Sequence, residues 1–353
     1  MESIYDTISR ISGPDERARW QAQQCWDSIA KPLGSLGQLE TAVTKIAALR
    51  GSADVSLKTR RLQVFCADNG VVSRGVSQCG SEVTAHVAVA LAEGRSTVSP
   101  MARQAGCEVI PVDMGMLDFS GCQGVLNRRV RNGTKDISTG PAMTRAECLC
   151  AMEIGAELAE TAAREGVDVL LLGEMGIGNT TTSGAVCAAL LGLTSDEVTG
   201  RGAGLSDAGL VRKRAAIESA LRVNAPDRND PVDVLQKVGG LDLAAMCGAF
   251  LGAAAARLPV IIDGYICAVA ALCAVRLCPD SVHAFLASHV SAEPAAQRVL
   301  QELELDAPIT AGMRLGEGSG AVALLPLLDL ALSVYASGQT FDRLGIDAYT
   351  PQN

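Results

Sequence analysis

Aromatic residues are scarce in this chain. Of its 353 residues only 3% are Phe, Trp or Tyr, while 48% are hydrophobic, mostly Ala, Leu and Val. A large core can be built from that composition, but its small side chains favour helices packed closely on a sheet over a sandwich or barrel. Histidine is scarcer still: His86, His283 and His289 are the only three, and none sits beside cysteines or acids at metal-ligand spacing. His283 alternates with apolar residues in SVHAFLAS and reads as a core or strand residue. Positive charge is short as well. The formal net charge is −9, and no basic group exceeds Arg128-Arg129-Val130-Arg131. That argues against nucleic acid as a partner and requires any anion site to be local.

Further absences narrow the class. The twelve cysteines include no CxxC pair, and no basic-then-apolar segment opens the chain at Met1-Glu2-Ser3. Cys66, Cys187, Cys247, Cys267 and Cys273 lie in apolar surroundings, as the buried reduced thiols of a cytoplasmic protein would. Cys148-Leu149-Cys150 has poor spacing for zinc. The longest apolar run, Leu243 to Ala256, is 14 residues between Asp242 and Arg257. It suits a buried helix and is too short to span a membrane. No internal repeat or low-complexity tract is present.

What is there alternates. RLQVFCAD (61–68), CEVIPVD (107–113), DVLLLGE (168–174), PVIID (259–263) and VHAFLAS (282–288) read as strands. Segments 143–165, 207–222, 241–256 and 292–303 carry helical spacing between them. The expected fold is α/β: a Rossmann-like, mostly parallel sheet with helices on both faces. The helical, polar first 50 residues and the apolar helix after Ser319, with Pro326 placed to kink it, are expected to form a small helical domain. Its boundaries are read as 1–55 and 320–353, beside a large α/β domain over 56–319.

In an open parallel sheet, ligands bind beyond the carboxyl ends of the strands. The residues that follow the expected strands are Asp68-Asn69-Gly70, Asp113, Glu174, Asp263-Gly264 and Ser288-His289. Each alone is explained by turn formation; together they point to a cleft. The sharpest local signal is GEMGIGNTTTS (173–183). Glycines fill three of its first six positions, and Asn179-Thr180-Thr181-Thr182 then opens a helix. Bare amides at a helix start, with hydroxyls beside them, form an anion site that suits a phosphate. A glycine-rich turn with threonine caps would serve structure alone, but its place directly after a buried strand favours the phosphate. It is neither a Walker loop, lacking Gly-Lys-Ser/Thr, nor the dinucleotide fingerprint, because Thr181 stands at the third glycine position. One of Arg201, Arg212, Lys213 and Arg214 could supply the cation. In GMRLGEGSGA (312–321), Glu317 sits among Gly316, Gly318 and Gly320. Glycines allow close approach of backbone or ligand, and a carboxylate in such a niche suits a general base.

Taken in order, KPLGSLGQLE (31–40), ADNGVVSRGVS (67–77), GPAMTRAE (140–147), GEMGIGNTTTS (173–183), GRGAGLSDAGLVRKR (200–214), VGGLDLAAMCGAFLGAAAARLPVIIDGYI (238–266), SAEP (291–294) and GMRLGEGSGA (312–321) resemble the nicotinate-nucleotide–dimethylbenzimidazole phosphoribosyltransferase family of cobalamin lower-ligand assembly. The resemblance covers nearly the whole chain. It implies transfer of 5-phosphoribosyl from nicotinate mononucleotide to an aromatic base, with inversion, giving the α-ribosyl base phosphate and nicotinate. It implies Glu317 as the catalytic base, and Glu174, Gly176, Gly178, Asn179, Thr180, Lys213 and Arg314 at the phosphate and ribose. The base pocket would take Ser77, Gln78, Cys79, His86 and Leu315. No cofactor, metal or membrane span is expected. The family is dimeric, so the partners expected are the two small substrates and a second subunit, identical or paralogous. The alternative activity is that of a poorly active paralogous subunit supporting a catalytic partner.

Three positions depart from the family pattern. Leu33 stands where KPPGSLG has its second proline, Cys79-Gly80 where an aromatic residue and proline are usual, and Ala295-Ala296 where Gly-His is common. The second change widens the slot or removes a stacking partner, so the acceptor is read as 5,6-dimethylbenzimidazole or a relative, with a purine or a phenol left open.

Overall fold

The computed structural model describes residues 2–202 and 204–350. Met1 and residues 351–353, at the ends of the expected helical domain, and Ala203, inside the GRGAG stretch, lie outside the described residues. Six strands form one sheet: β1 Arg60–Ala67, β2 Cys107–Gly115, β3 Leu126–Asn127, β4 Val169–Met175, β5 Val260–Ile262 and β6 Phe285–Ala287. Their order is β3-β2-β1-β4-β5-β6, and every pairing is parallel. The strand order therefore reverses between β1 and β4, the switch point at which a crevice opens beyond the strand ends.

Both faces of the sheet are covered, which explains why its strands are apolar runs rather than alternating ones. Phe65, Ala67, Leu170, Leu172 and Val260 join a core with helices Arg145–Arg164, Leu241–Ala255 and Tyr265–Leu277. Leu62, Val64, Cys66, Leu171 and Ile261 join a second core with helices Glu82–Ala92, Val98–Gln104 and Ser319–Tyr335. The 14-residue apolar run lies in the helix Leu241–Ala255, buried from Leu241 to Ala254. No described helix is long and apolar enough to cross a membrane. Helix Glu16–Ser28 packs on Gln38–Arg50, which packs in turn on Ser319–Tyr335, with Trp26, Ile29, Val43 and Ala331 as a third small core. In the KPLGSLGQLE stretch, Lys31 pairs with Glu40 at 2.7 Å and lies over the Trp26 ring. The short helix Ile4–Ser9 packs elsewhere, on helices 145–164 and 241–255. Helix Ser319–Tyr335 continues through the exposed Pro326.

The sequence reading erred at His283. It lies in a half-buried 3₁₀ turn, Pro279–Ala284, and the strand starts only at Phe285. Pro279 at the turn's first position presets its φ and has no N–H to lend a ladder.

Small residues let two helices meet backbone to backbone. A Cβ at Gly248 would lie 1.8 Å from the carbonyl oxygen of Met152, and one at Gly155 would lie 1.9 Å from that of Ala245. Gly248→Ala is therefore expected to cost about 1–3 kcal/mol, the usual range for overpacking. Denaturant midpoints measure this, and an unchanged midpoint would contradict so close an approach.

Candidate functional site

The crevice at the switch point opens into a cavity of about 270 Å³. One wall grows directly out of β4. After the strand the chain runs Gly176-Ile177-Gly178, and Gly178 adopts φ 92°, a left-handed conformation that glycine takes without strain. Helix Asn179–Leu191 starts there. Asn179 N–H donates to the Gly176 carbonyl, and Ile177 N–H to Thr84 Oγ1. The backbone N–H groups of Gly178 and Thr180 donate to no acceptor among the described residues. Beside them Lys213 is buried. Its ammonium donates to Thr180 Oγ1 at 2.9 Å and to the Gly200 carbonyl at 3.0 Å, leaving a third N–H. Burial lowers it to about 8, with Glu293 pulling weakly the other way. Two open amides and a desolvated ammonium at one helix start make a site for an anion.

Another part of the lining carries Glu317. Gly316, Glu317 and Gly318 all have left-handed backbones, φ 85°, 59° and 81°. For Glu317 that conformation costs on the order of 1 kcal/mol, so the surroundings must impose it. They do so at three points. Asp263, just past β5, accepts the N–H groups of Gly318, Gly320 and Ala321 and so caps helix 319–335. A Cβ at Gly316 would lie 2.6 Å from Glu174 Oε1, one at Gly318 2.4 Å from Leu62, and one at Gly320 1.9 Å from His289 Nδ1. The glycines around Glu317 are thus required by close protein neighbours, one of the two kinds of approach the sequence left open. Glu317 is 8% exposed. Its Oε2 accepts the Val98 N–H at 3.1 Å, at the start of helix 98–104.

Around the cavity, acids crowd. Burial first, then the charges of Asp242 and Asp263, push Glu174 up to about 8. Burial likewise raises Asp242 to about 6 and Asp263 to about 6. Asn179 Nδ2 ties this group together, donating to Glu174 Oε2 and, at 3.3 Å, to Asp242 Oδ2. Glu174 is consequently a neutral carboxyl at neutral pH, able to donate an O–H.

The expected site residues divide. Glu174, Gly176, Asn179, Thr180, Cys79, Arg314, Leu315 and Glu317 line the main cavity. Ser77, Gln78 and Gly178 line a smaller lobe of about 70 Å³, which shares the Gly176–Thr180 turn. Arg314 is exposed and makes no hydrogen bond or ion pair among the described residues. His86 is a correction: it is exposed and lines neither space. The stripe of its helix that meets the cavity is Val83 and Val87, four residues apart on one face. Of the candidate cations Lys213 alone is buried, and it meets the turn through Thr180 Oγ1 without lining either space, while Arg201 lines the smaller lobe. Arg201 pairs with Asp207, Arg214 with Asp196, and Arg212 donates to the Gly75 carbonyl. Among the strand-end acids, Asp113 is spent on Arg129, and Asp68 holds Thr84 and the Leu117 N–H. Sequence reasoning missed Asp242, whose signal was an acid two residues after Gly239-Gly240, in the first turn of a helix. It also missed Glu293 of SAEP, which accepts the Gly202 N–H at 3.1 Å.

The pattern of a family described as phosphoribosyltransferase matches residues 11–346. The nicotinate-nucleotide–dimethylbenzimidazole phosphoribosyltransferase of Acetivibrio thermocellus is 42% identical over 349 residues, 99% of each chain. The protein of the same name from Ruminiclostridium cellulolyticum is 44% identical over 349 residues, again 99% of each. The crystal structure of CobT from Thermus thermophilus superposes with a TM-score of 0.88 at 36% identity, covering 94% of this chain and all of that one.

The Glu174 shift has a measurable consequence. Folding favours its protonated form, so its contribution to stability is whole below its ordinary value of 4.5 and is lost as pH rises through about 8. Glu174→Gln cannot ionise and keeps that contribution. The stability of the variant minus that of the wild type is expected to grow by about 1–4 kcal/mol from about pH 5 to about pH 8. Denaturant melts at both pH values measure it, and a difference that stays constant would contradict the burial of this acid.

Proposed function

Because the chain belongs to the phosphoribosyltransferase family, we propose that it moves the 5-phosphoribosyl group of nicotinate mononucleotide to an aromatic base. The names of its relatives and the chemistry of the cavity both support this reading. In it the donor's phosphate binds at the Gly178 and Thr180 amides and the Lys213 ammonium, which an anion would keep charged. Glu174, neutral and hydrogen-bonded to Asn179, donates to a ribose or base acceptor. Arg314 at the mouth adds charge near the phosphate.

The bond changes are few. The pyridinium nitrogen of the donor leaves C1′ with the bonding pair and departs as neutral-ring nicotinate, so its departure needs no proton. A ring nitrogen of the acceptor forms the new bond to C1′ from the opposite side, which turns a β-linked donor into an α-linked product. The acceptor's N–H proton passes to the Glu317 carboxylate. The acceptor ring would lie against Val83, Val87, Met175, Ile266 and Leu315, all of which line the cavity. The wall carries Cys79 where relatives have an aromatic residue, so it suits 5,6-dimethylbenzimidazole and its relatives and leaves space for a purine or a phenol. In the phenol case an oxygen attacks, and the proton again goes to Glu317. A dimer belongs to this reading, as does a reducing cytoplasm, supported by twelve cysteines that are all free thiols.

The single observation that carries the proposal is that Glu317 and the anion-type helix start face one cavity. Glu317→Gln is expected to keep the fold, as judged by circular dichroism, and to lose turnover by roughly 10²–10⁴-fold, the usual general-base contribution. Release of nicotinate from the mononucleotide in the presence of acceptor measures it. Near-normal turnover would remove Glu317 from the chemistry.

A further inference from the structure

A second cavity, of about 200 Å³, shares no lining residue with the first. Helix 38–50, β6, the stretch after Glu304 and helix 319–335 line it, and Leu39, Leu286, Leu305, Leu324 and Leu328 give it an apolar wall. One cation interrupts that wall. Lys45 is half-buried, and its ammonium makes no hydrogen bond or ion pair among the described residues. Burial, and after it the charge of Arg19, lower it to about 8, so at neutral pH it is still mostly protonated. The groups that face it do not neutralise it. Arg19 is itself a cation, paired with Glu16; His283 is held down by burial and then by Lys45. Glu304 and Asp306 are exposed at the rim, where water screens them. Gln38 and Thr41 complete the polar lining.

A charge kept in an apolar wall without a partner gains from a ligand that brings the opposite charge. The walls restrict what that ligand can be. A cavity of about 150 Å³ holds a benzene-sized guest, so this one holds a single ring with one small substituent. A second negative charge would find no partner and would face Glu304 and Asp306.

We propose that this cavity is a binding site for a small monocarboxylate with an apolar body of one ring, its carboxylate on the Lys45 ammonium and its ring between Leu286, Leu324 and Leu328. The site stands apart from the phosphoribosyl chemistry and does not rest on it.

Benzoate is the probe, titrated calorimetrically into the full chain. Binding is expected in the wild type; Lys45 and Leu324 line only the second cavity, so variants there separate it from events in the first cavity and from any failure of the transferase reading. Lys45→Met should weaken it by about tenfold or more, the scale of a charge-assisted hydrogen bond, and Leu324→Trp, which fills the space, should abolish it. Benzyl alcohol, the same shape without charge, should bind about tenfold more weakly. Circular dichroism checks that both variants are folded. Benzoate binding that Lys45→Met leaves unchanged, equal affinity for benzyl alcohol, or no binding to the wild type would each overturn the proposal.

Discussion

The site depends on one close approach: the turn that carries Glu317 lies against β4 with no side chain between them. A Cβ at Gly173 would come within 2.6 Å of the Gly318 nitrogen. Contact between two backbones fixes position more tightly than contact between flexible side chains, because neither partner has rotamers to shift. Asp263 then takes up three N–H groups of the same turn, satisfying donors that burial would otherwise strand. The anion-type helix start follows Gly173 by a few residues on the same strand. The carboxylate and the anion site are therefore both referenced to β4, and the separation between them is a property of the sheet rather than of loops.

The electrostatics follow from the same crowding. A chain of net charge −9 gathers Glu174, Asp242, Asp263 and Glu317 around one cavity, a poor place for a phosphate at first sight. Burial changes the balance. It holds Glu174 protonated near neutrality and keeps Lys213 desolvated with a donor to spare. Two open amides add partial positive charge that never titrates. The field an anion meets at the helix start is thus local, as the absence of basic clusters in the sequence requires.

Much of this was legible in the sequence because short-range rules govern it. Buried parallel strands read as apolar runs, and GEMGIGNTTT announced a strand, a glycine-rich turn and a helix start within ten residues. Glu317 stood out because a lone acid among glycines is unusual. What stayed hidden depends on tertiary neighbours. No local pattern says that Gly320 makes way for His289, or that Asp242 reaches Asn179 from another helix. His86 was expected in the base pocket from the resemblance, yet the turn of its helix presents Val83 and Val87 instead. Arg201, Arg212 and Arg214 were indistinguishable from Lys213 in sequence; only their partners Asp207, Gly75 and Asp196, set by the fold, separate them. The segment around His283 was misread for a similar reason, since its alternation imitates a strand while Pro279 starts a turn.

The central claim is that phosphate and proton acceptor share one chamber hung from β4. Diffraction from crystals soaked with nicotinate mononucleotide tests it most directly. The account predicts phosphate density at the Gly178 and Thr180 amides and the Lys213 ammonium, with C1′ turned toward Glu317. Phosphate density at the mouth on Arg314, with the helix start left to solvent and C1′ facing away from Glu317, would contradict it.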